Sequence, residues 1–569
     1  MRRLNLIGLV LIGLLAALPV VDTGARQAAA PASAKATTGL AGSASFAAAR
    51  KDAEIITAEK MRKDLYWIAD DARAGRDTPS PGLDETARYI ADRLRSLKVK
   101  PAGGDGTYFQ KIVLRSTEVD RAKTTASLGG RTFKVGEGFL PSGRASGEAE
   151  GQVVFAGHGW VVGSKNINAY EGLDVRDRIV VVTGDGRRPP PGVAEKEITD
   201  SPAATWESPI SYAQKNGARA IVFVPRNFER RWRAGQNTLT RPEYYPARLQ
   251  EESDEALDLP PVALPAIIPS REMLDALFAG ETADGAAVLK AATAGESLKG
   301  FALSQPKRLR LALSLKVSEV ATQNVVGVVE GRDSRLKREY VALGAHYDHV
   351  GVGRAVGGDS IYNGADDDGS GTTALLALAE AFSKGKRPAR SILFVWHAGE
   401  EKGLWGSEYF AKFPTVPLEQ VVTQLNIDMI GRSKRAGDTN PKNRMLTGPE
   451  EIYVIGSKMM STELGELSEA VNAAYLGIRF NYHYDQPNDP ERLFYRSDHY
   501  NYARNGVPII FYFDGIHEDY HQPSDHADKI DYQKMERVTR TIFITASELA
   551  NRPTRPVVDK QLSADRLGR

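Results

Sequence analysis

Apolar residues recur at helical spacing between positions 53 and about 74, where Ile56, Met61, Leu65, Ile68 and Ala69 share a face. Thr78-Pro79-Ser80-Pro81-Gly82 ends that run. A second helix is predicted over 83–97, with Ala87, Ile90, Ala91 and Leu94 on its buried face, then a strand over 109–114. From about 116 the period changes. Short strand-like runs at 152–155, 160–162, 178–182 and 219–224 are separated by turn residues and proline, with one short helix over 208–217. The segment 225–261 is polar and aromatic with no clear period and is expected to be a long loop. From 317 onward strands alternate with helices. Strands are predicted at 324–329, 340–345, 391–396, 421–427, 452–455 and 507–513, and helices at 371–383, from 404, over 462–474, after Asp498 and over 532–549. This alternation predicts an α/β fold with a mostly parallel, mixed sheet covered by helices on both faces.

At 569 residues the chain is too long for one core, so two or more domains are expected. Its 74 basic and 72 acidic residues leave a net charge of +2, and no basic stripe is interleaved with aromatics, so no nucleic-acid partner is implied. Arg2 and Arg3 precede an apolar run over 4–21, followed by small residues through Ala34. That is the layout of a secretory signal, with cleavage after Ala25, Ala30 or Ala34, leaving no membrane contact once the segment is removed. An uncleaved anchor is the alternative, since the run is close to the minimum of about 17 residues for a span. Residues 26–45 read as an Ala/Ser/Thr-rich linker. There is no cysteine, which excludes disulfides and thiolate metal ligands and fits export to a bacterial periplasm or medium by a chain whose cores need no staples.

Composition leaves His and carboxylates as the only strong metal ligands, and these cluster. Eight of the nine histidines lie from His346 to His526. Four motifs stand close together: Gly344-Ala345-His346-Tyr347-Asp348, Asn363-Gly364-Ala365-Asp366-Asp367-Asp368-Gly369, Ala398-Gly399-Glu400-Glu401 and Leu425-Asn426-Ile427-Asp428. Three follow or end predicted strands, and the second is a Gly/Asp loop leading into a helix. In an open α/β sheet such strand ends line one crevice. Asp367, Glu400, Glu401 and Asp428 would then be four partly buried carboxylates that need cations beside them. A further ligand is expected from Asp519-Tyr520-His521-Gln522-Pro523-Ser524-Asp525, which follows the strand at 507–513.

These five motifs, in this order, resemble the co-catalytic di-zinc exopeptidase family that includes aminopeptidase Y and glutamate carboxypeptidase II. The resemblance covers about 45–116 and 306–550 and implies the fold of that family. It further implies that His346 and Asp428 hold one zinc, that Glu401 and His521 hold the other, and that Asp367 bridges them. Glu400 would be the general base, and Asp348 would orient His346. Cobalt or manganese could replace zinc in such a ligand set. The pieces Gly172-Leu173-Asp174-Val175-Arg176-Asp177-Arg178-Ile179-Val180-Val181-Val182 and Ala213-Gln214-Lys215-Asn216-Gly217-Ala218-Arg219-Ala220-Ile221-Val222-Phe223-Val224 resemble a protease-associated domain. That implies a β-rich insert shaping the cleft. The expected layout is a signal at 1–25, a linker at 26–45, peptidase at 46–116 and 306–552, the insert at 117–305 and a tail at 553–569.

The residue chemistry agrees with the implied roles. His346 and Asp348 lie two apart at a strand end and point the same way. Adjacent Glu400 and Glu401 diverge, so one can bind metal while the other faces water. Two ions about 3.5–4 Å apart would share and activate that water. Asp366 and Asp368 are read as turn-formers and helix caps, His349 as a rim residue, and His517 as a rival to His521. His526, directly after Asp525, departs from the expected pattern. Arg496 and His499 are candidate substrate contacts, with a helix N-terminus as the other setting for His499 and Asp498 or Ser497 as its cap. The expectation is an aminopeptidase acting on peptides or proteins. The alternatives are a carboxypeptidase that binds the terminal carboxylate through Arg496, a glutaminyl cyclase, or a non-catalytic binding protein.

Overall fold

The computed structural model describes residues 43–562, apart from 143–144, 185, 187, 195–196, 199–204, 240–241, 257–263 and 305–306. The expected signal segment lies outside the described residues, as does all but the end of the expected linker.

Two large sheets organise the chain. The first has ten strands, with Ser391–His397, Tyr340–His346, Val421–Ile427 and Ile509–Phe513 side by side and parallel at its centre. Leu315–Val329 and Phe109–Val119 extend one side antiparallel, and Glu451–Ile455 and Arg479–Asn481 the other, so the sheet is mixed. Period-two alternation explains the two covered faces. Ile392, Phe394 and Trp396 pack into one core beneath helices Ala44–Ala53, Pro81–Ser96, Gly371–Lys384 and Tyr532–Asn551, whereas Leu393 and Val395 pack into the opposite core with Phe410, Tyr500 and Tyr502.

Phe109–Val119 and Leu315–Val329 form a long ribbon, paired from Phe109↔Val325 to Val119↔Leu315. The chain passes between the sheets along it. The second sheet has nine strands, and Gly147–Phe155, Arg178–Thr183, Ala220–Val224 and Ala266–Pro269 are parallel neighbours within it. It has its own cores, Ile179 and Val181 facing one and Val180 and Val182 the other.

Of the expected helix at 53–74, Ala58–Ile68 is helical and the short turn Asp71–Arg76 follows it, while a separate helix, Ala44–Ala53, precedes it. The break follows from Thr57, whose side chain accepts from the Lys60 N–H and starts a new helix. The first helix was hidden by alanine-rich composition that also suits a linker. The expected loop at 225–261 holds two helices, Phe228–Thr238 and Ala247–Ala256, and the strand Glu243–Pro246. The first of these helices carries a stacked Phe228–Trp232 pair, too short an apolar pattern to show a period. Helices Arg271–Phe278 and Gly285–Ala294 make the second unit less purely β than expected. Among the described residues no helix is long and apolar enough to cross a membrane.

Candidate metal centre

The C-terminal ends of the four central parallel strands deliver the site. His346 closes Tyr340–His346, Glu400 and Glu401 follow Ser391–His397, Asp428 follows Val421–Ile427, and His521 lies in the loop after Ile509–Phe513. Asp367 sits in the turn Ala365–Ser370 that starts helix Gly371–Lys384.

The side chains form two donor clusters that share Asp367. One is His346, Asp367 and Asp428; the other is His349, Asp367, Glu401 and His521. Within each, the ligand atoms lie within 4.8 Å of one another. His346 Nε2 is 3.3 Å from Asp367 Oδ1 and 3.6 Å from Asp428 Oδ1. His521 Nε2 is 3.0 Å from Asp367 Oδ2 and 3.1 Å from Glu401 Oε2. His349 Nδ1 lies 2.8 Å from Glu401 Oε1. His349 is therefore not a rim residue: it is fully buried inside the second cluster. A His-x-Asp-His run was legible, but a histidine three positions beyond a ligand carries no local sign of facing the same crevice.

The donors fit a metal. His521 Nε2, His349 Nδ1 and Glu401 Oε1 are buried, meet chiefly one another and Asp367, and make no well-aligned hydrogen bond among the described residues. Buried polar atoms left unpaired in this way are rare unless something satisfies them. The Asp348 carbonyl accepts from His346 Nδ1 at 3.2 Å, which turns Nε2 toward Asp367 and Asp428. The Asp348 carboxylate, 3.7 Å from His346 Nδ1, instead accepts the Glu400 N–H through Oδ1 at 3.2 Å. Asp348 thus stands against His346 with both its carbonyl and its carboxylate, and the carboxylate also positions Glu400.

Buried charges around the clusters set their protonation. Burial raises the Glu400 carboxyl well above the usual range, with Glu401 and Asp428 adding to it against His346. Burial also raises Asp368 well above its usual range, beside Asp428. For Asp367 burial is outweighed by His346 and His521, which hold it well below. Burial would lower His521, but its contacts with the Asp367 and Glu401 carboxylates hold it up at about 10.

The turn that carries Asp367 is fixed from outside. Asp525 Oδ2 accepts from the Asp366 and Asp367 N–H groups at 2.9 and 3.2 Å. Asp368 accepts from Gly371 N–H, Met429 N–H and His346 N–H, joining three ligand loops and acting as the turn-former expected of it. Asp366 accepts from the Gly431 N–H and faces His517 Nε2 at 3.2 Å. His517 is thus engaged by Asp366, outside both clusters. His526 lies apart, 3.7 Å from Asp359. Gly364 has φ 57°, and a Cβ there would strike the His349 ring at 2.4 Å, so only glycine fits.

Arg76 was not anticipated. Its guanidinium is fully buried and donates to the carbonyls of Tyr347, Ile68, Asn363 and Gly364 at 2.7–2.9 Å. Burial lowers its pKa to about 10, against the pull of Asp348, Asp367, Asp368 and Asp525. It ties the N-terminal helices to two ligand loops and offsets their negative charge. No local pattern marks an arginine that acts on carbonyls more than 270 positions away.

A cleft opens beside the clusters, walled by Met429, Leu493, Phe511, Phe513, Ile516 and Tyr520. Asp367, Glu400, Asp428 and Arg496 face it as well. His499 does not line it. Its ring is buried and stacked behind Phe511, centroids 4.4 Å apart, and burial lowers its pKa to about 3, so it is a neutral core ring rather than a substrate contact. It opens helix His499–Ala503, but Asp498 makes no cap bond there and instead faces His397 Nδ1 at 3.3 Å.

Residues 324–546 match the family model described as Peptidase family M28. A probable leucine aminopeptidase of Trichophyton verrucosum is 25% identical over 236 residues, 40% of this chain and 57% of that protein. A probable zinc metalloprotease of Pyricularia oryzae is 34% identical over 155 residues, 26% of this chain and 30% of that protein. The chain spans little more than half the length of the leucine aminopeptidase relatives it matches. Among solved structures, the aminopeptidase from Aneurinibacillus sp. strain AM-1 aligns over 90% of this chain and 98% of its own, at 19% identity and a TM-score of 0.47. The M28 stretch contains every residue of both donor clusters, while Arg76 lies outside it.

Proposed function

We propose that the chain is a zinc-dependent exopeptidase that removes N-terminal residues from peptides or proteins. The observation that carries this reading is one carboxylate, Asp367, shared by two donor clusters. His346 and Asp428 would hold one ion, and Glu401 and His521 the other, with His349 beside Glu401. The M28 match and the relatives named as aminopeptidase and zinc metalloprotease support the choice of metal and reaction.

Bound zinc supplies Lewis-acid activation of the scissile carbonyl and of the attacking water. Glu400 takes the proton of that water and returns it to the leaving amine. Asp348 holds the Glu400 backbone, and Ser497 donates to Asp428 Oδ2 at 2.6 Å and keeps that carboxylate aimed. The apolar wall of Met429, Leu493, Phe511, Phe513 and Ile516 would take an apolar residue next to the cleaved bond.

Arg496 in the same cleft supports a second reading, capture of a C-terminal carboxylate. The two are separated by incubating the zinc-loaded protein with free and N-acetylated peptides and mapping products by mass. Stepwise loss from the N-terminus of free-amine peptides alone is the expected result. Loss from the C-terminus regardless of acetylation would overturn the aminopeptidase reading. A peptidase part at 46–116 and 306–552 around an insert at 117–305, adjusted so that Arg308–Leu313 goes with the second sheet and Glu243–Pro246 with the first, and export directed by Arg2, Arg3 and the apolar run at 4–21, belong to this same proposal.

A further inference from the structure

The second sheet ends in a cavity of its own. Gly147–Phe155, Arg178–Thr183 and Ala220–Val224 are adjacent and parallel, and the residues just past all three C-terminal ends line one hollow of about 360 Å³. That is the place in a parallel α/β sheet where ligands bind, and the volume is in the range of small-ligand sites. The loops are tied across it: Thr183 N–H donates to the Gly157 carbonyl at 2.7 Å and Gly184 N–H to the Val224 carbonyl at 2.8 Å. A Cβ on Gly184 would meet nothing within 4 Å, so the backbone there borders open space.

The chemistry of the lining has one sign. Arg188, Arg226, Arg230 and Arg231 face it with His158 and Thr183, and no carboxylate is among the described residues that do. His158 Nδ1 accepts from the Trp160 N–H at 3.1 Å, which leaves Nε2 as a donor. Arg226 is braced on the Pro189 carbonyl at 3.2 Å. Helix Phe228–Thr238 begins at this edge and adds the positive end of its dipole. Positive groups gathered in a concave surface raise the local potential and attract anions.

We propose that this cavity is a binding site for a small polyanion, held by Arg226 and Arg230 with His158 at the carboxyl ends of the three strands. The shared recognition chemistry is a cluster of anionic oxygens, whether borne by phosphate or by carboxylates. The test is calorimetric titration of the metal-loaded full chain with pyrophosphate in one arm and propane-1,2,3-tricarboxylate in the other. Saturable one-site binding is expected with at least one probe, weakening as salt rises, and the tighter arm identifies the ligand class. An Arg226→Ala/Arg230→Ala variant should lose affinity by at least about tenfold. Hydrogen exchange on the wild-type chain supplies a measurement that needs no variant: the anion should protect 157–160, 183–184 and 226–234. No saturable binding of either probe, undiminished binding by a folded double variant, or protection confined to the metal loops would each overturn the proposal.

Discussion

The two sheets present the same geometry with opposite charge. In each, neighbouring parallel strands end at one crevice. In the first, the strand ends and the turn beside them carry Asp367, Glu400, Glu401 and Asp428 with three histidines, most of them buried, and the buried Arg76 feels the charge of Asp348, Asp367, Asp368 and Asp525. In the second, they carry four arginines and a histidine, largely exposed, with no carboxylate in the described lining. Topology supplies a crevice in both cases. The side chains at the strand ends decide what it attracts, and burial decides how much depends on filling it. A buried ring of carboxylates cannot stand without cations or protons, whereas exposed guanidiniums remain solvated when the site is empty.

Each prediction strikes the acidic site where it differs from the basic one. The largest effect is expected from Glu400→Gln, which removes the proton carrier while leaving both donor clusters intact. Peptide hydrolysis should fall by about 10³-fold with zinc content unchanged, as measured by steady-state kinetics and elemental analysis; a metal-depleted variant would contradict the separation of roles. Arg76→Met should cost about 3–5 kcal/mol of stability, because it strands four buried carbonyls and leaves nearby carboxylates uncompensated. Denaturant unfolding of the metal-free chain checks this, and a loss below 1 kcal/mol would make Arg76 dispensable. His349→Gln should weaken zinc binding by about 10–100-fold in chelator competition; an unchanged affinity would return His349 to a packing role.

The smallest effect concerns protons. In the metal-free chain His521 keeps a proton up to about 10, since its contacts with Asp367 and Glu401 outweigh burial, and His346 is raised well above its ordinary value despite burial, chiefly by Asp428 and Glu400. At neutral pH an incoming ion must displace those protons. Zinc affinity should therefore rise with pH until about 10, with proton release seen as a dependence of the binding heat on buffer ionisation enthalpy. A heat independent of buffer would refute this.

Much of the acidic site was legible because its ligands sit at predictable points of the α/β alternation. His346, Glu400, Glu401 and Asp428 follow apolar runs whose period already marked strands, and the glycines around Asp367 announced a tight turn. His349 was misread because spacing shows which way a residue leaves a strand, and the chain bends away from the strand just after His346. His499 was misread because Phe511, the ring it stacks on, comes from a strand elsewhere in the chain. The arginine cavity was not visible at all. Arg226 and Arg230 lie in a stretch without apolar period, and His158, Thr183 and Gly184 reach them only through the pairing of three strands.

The sequence by itself determined the ligand types, their order, and the strand-and-helix alternation that sends acidic loops to one edge of a sheet. Only the tertiary structure decided that His349 joins the cluster of Asp367, Glu401 and His521, that Arg76 clamps the loops around it, and that a second, basic crevice exists. The reason is physical. Period and motif are set by neighbours along the chain, whereas charge balance and burial depend on groups that meet only after the sheets have formed.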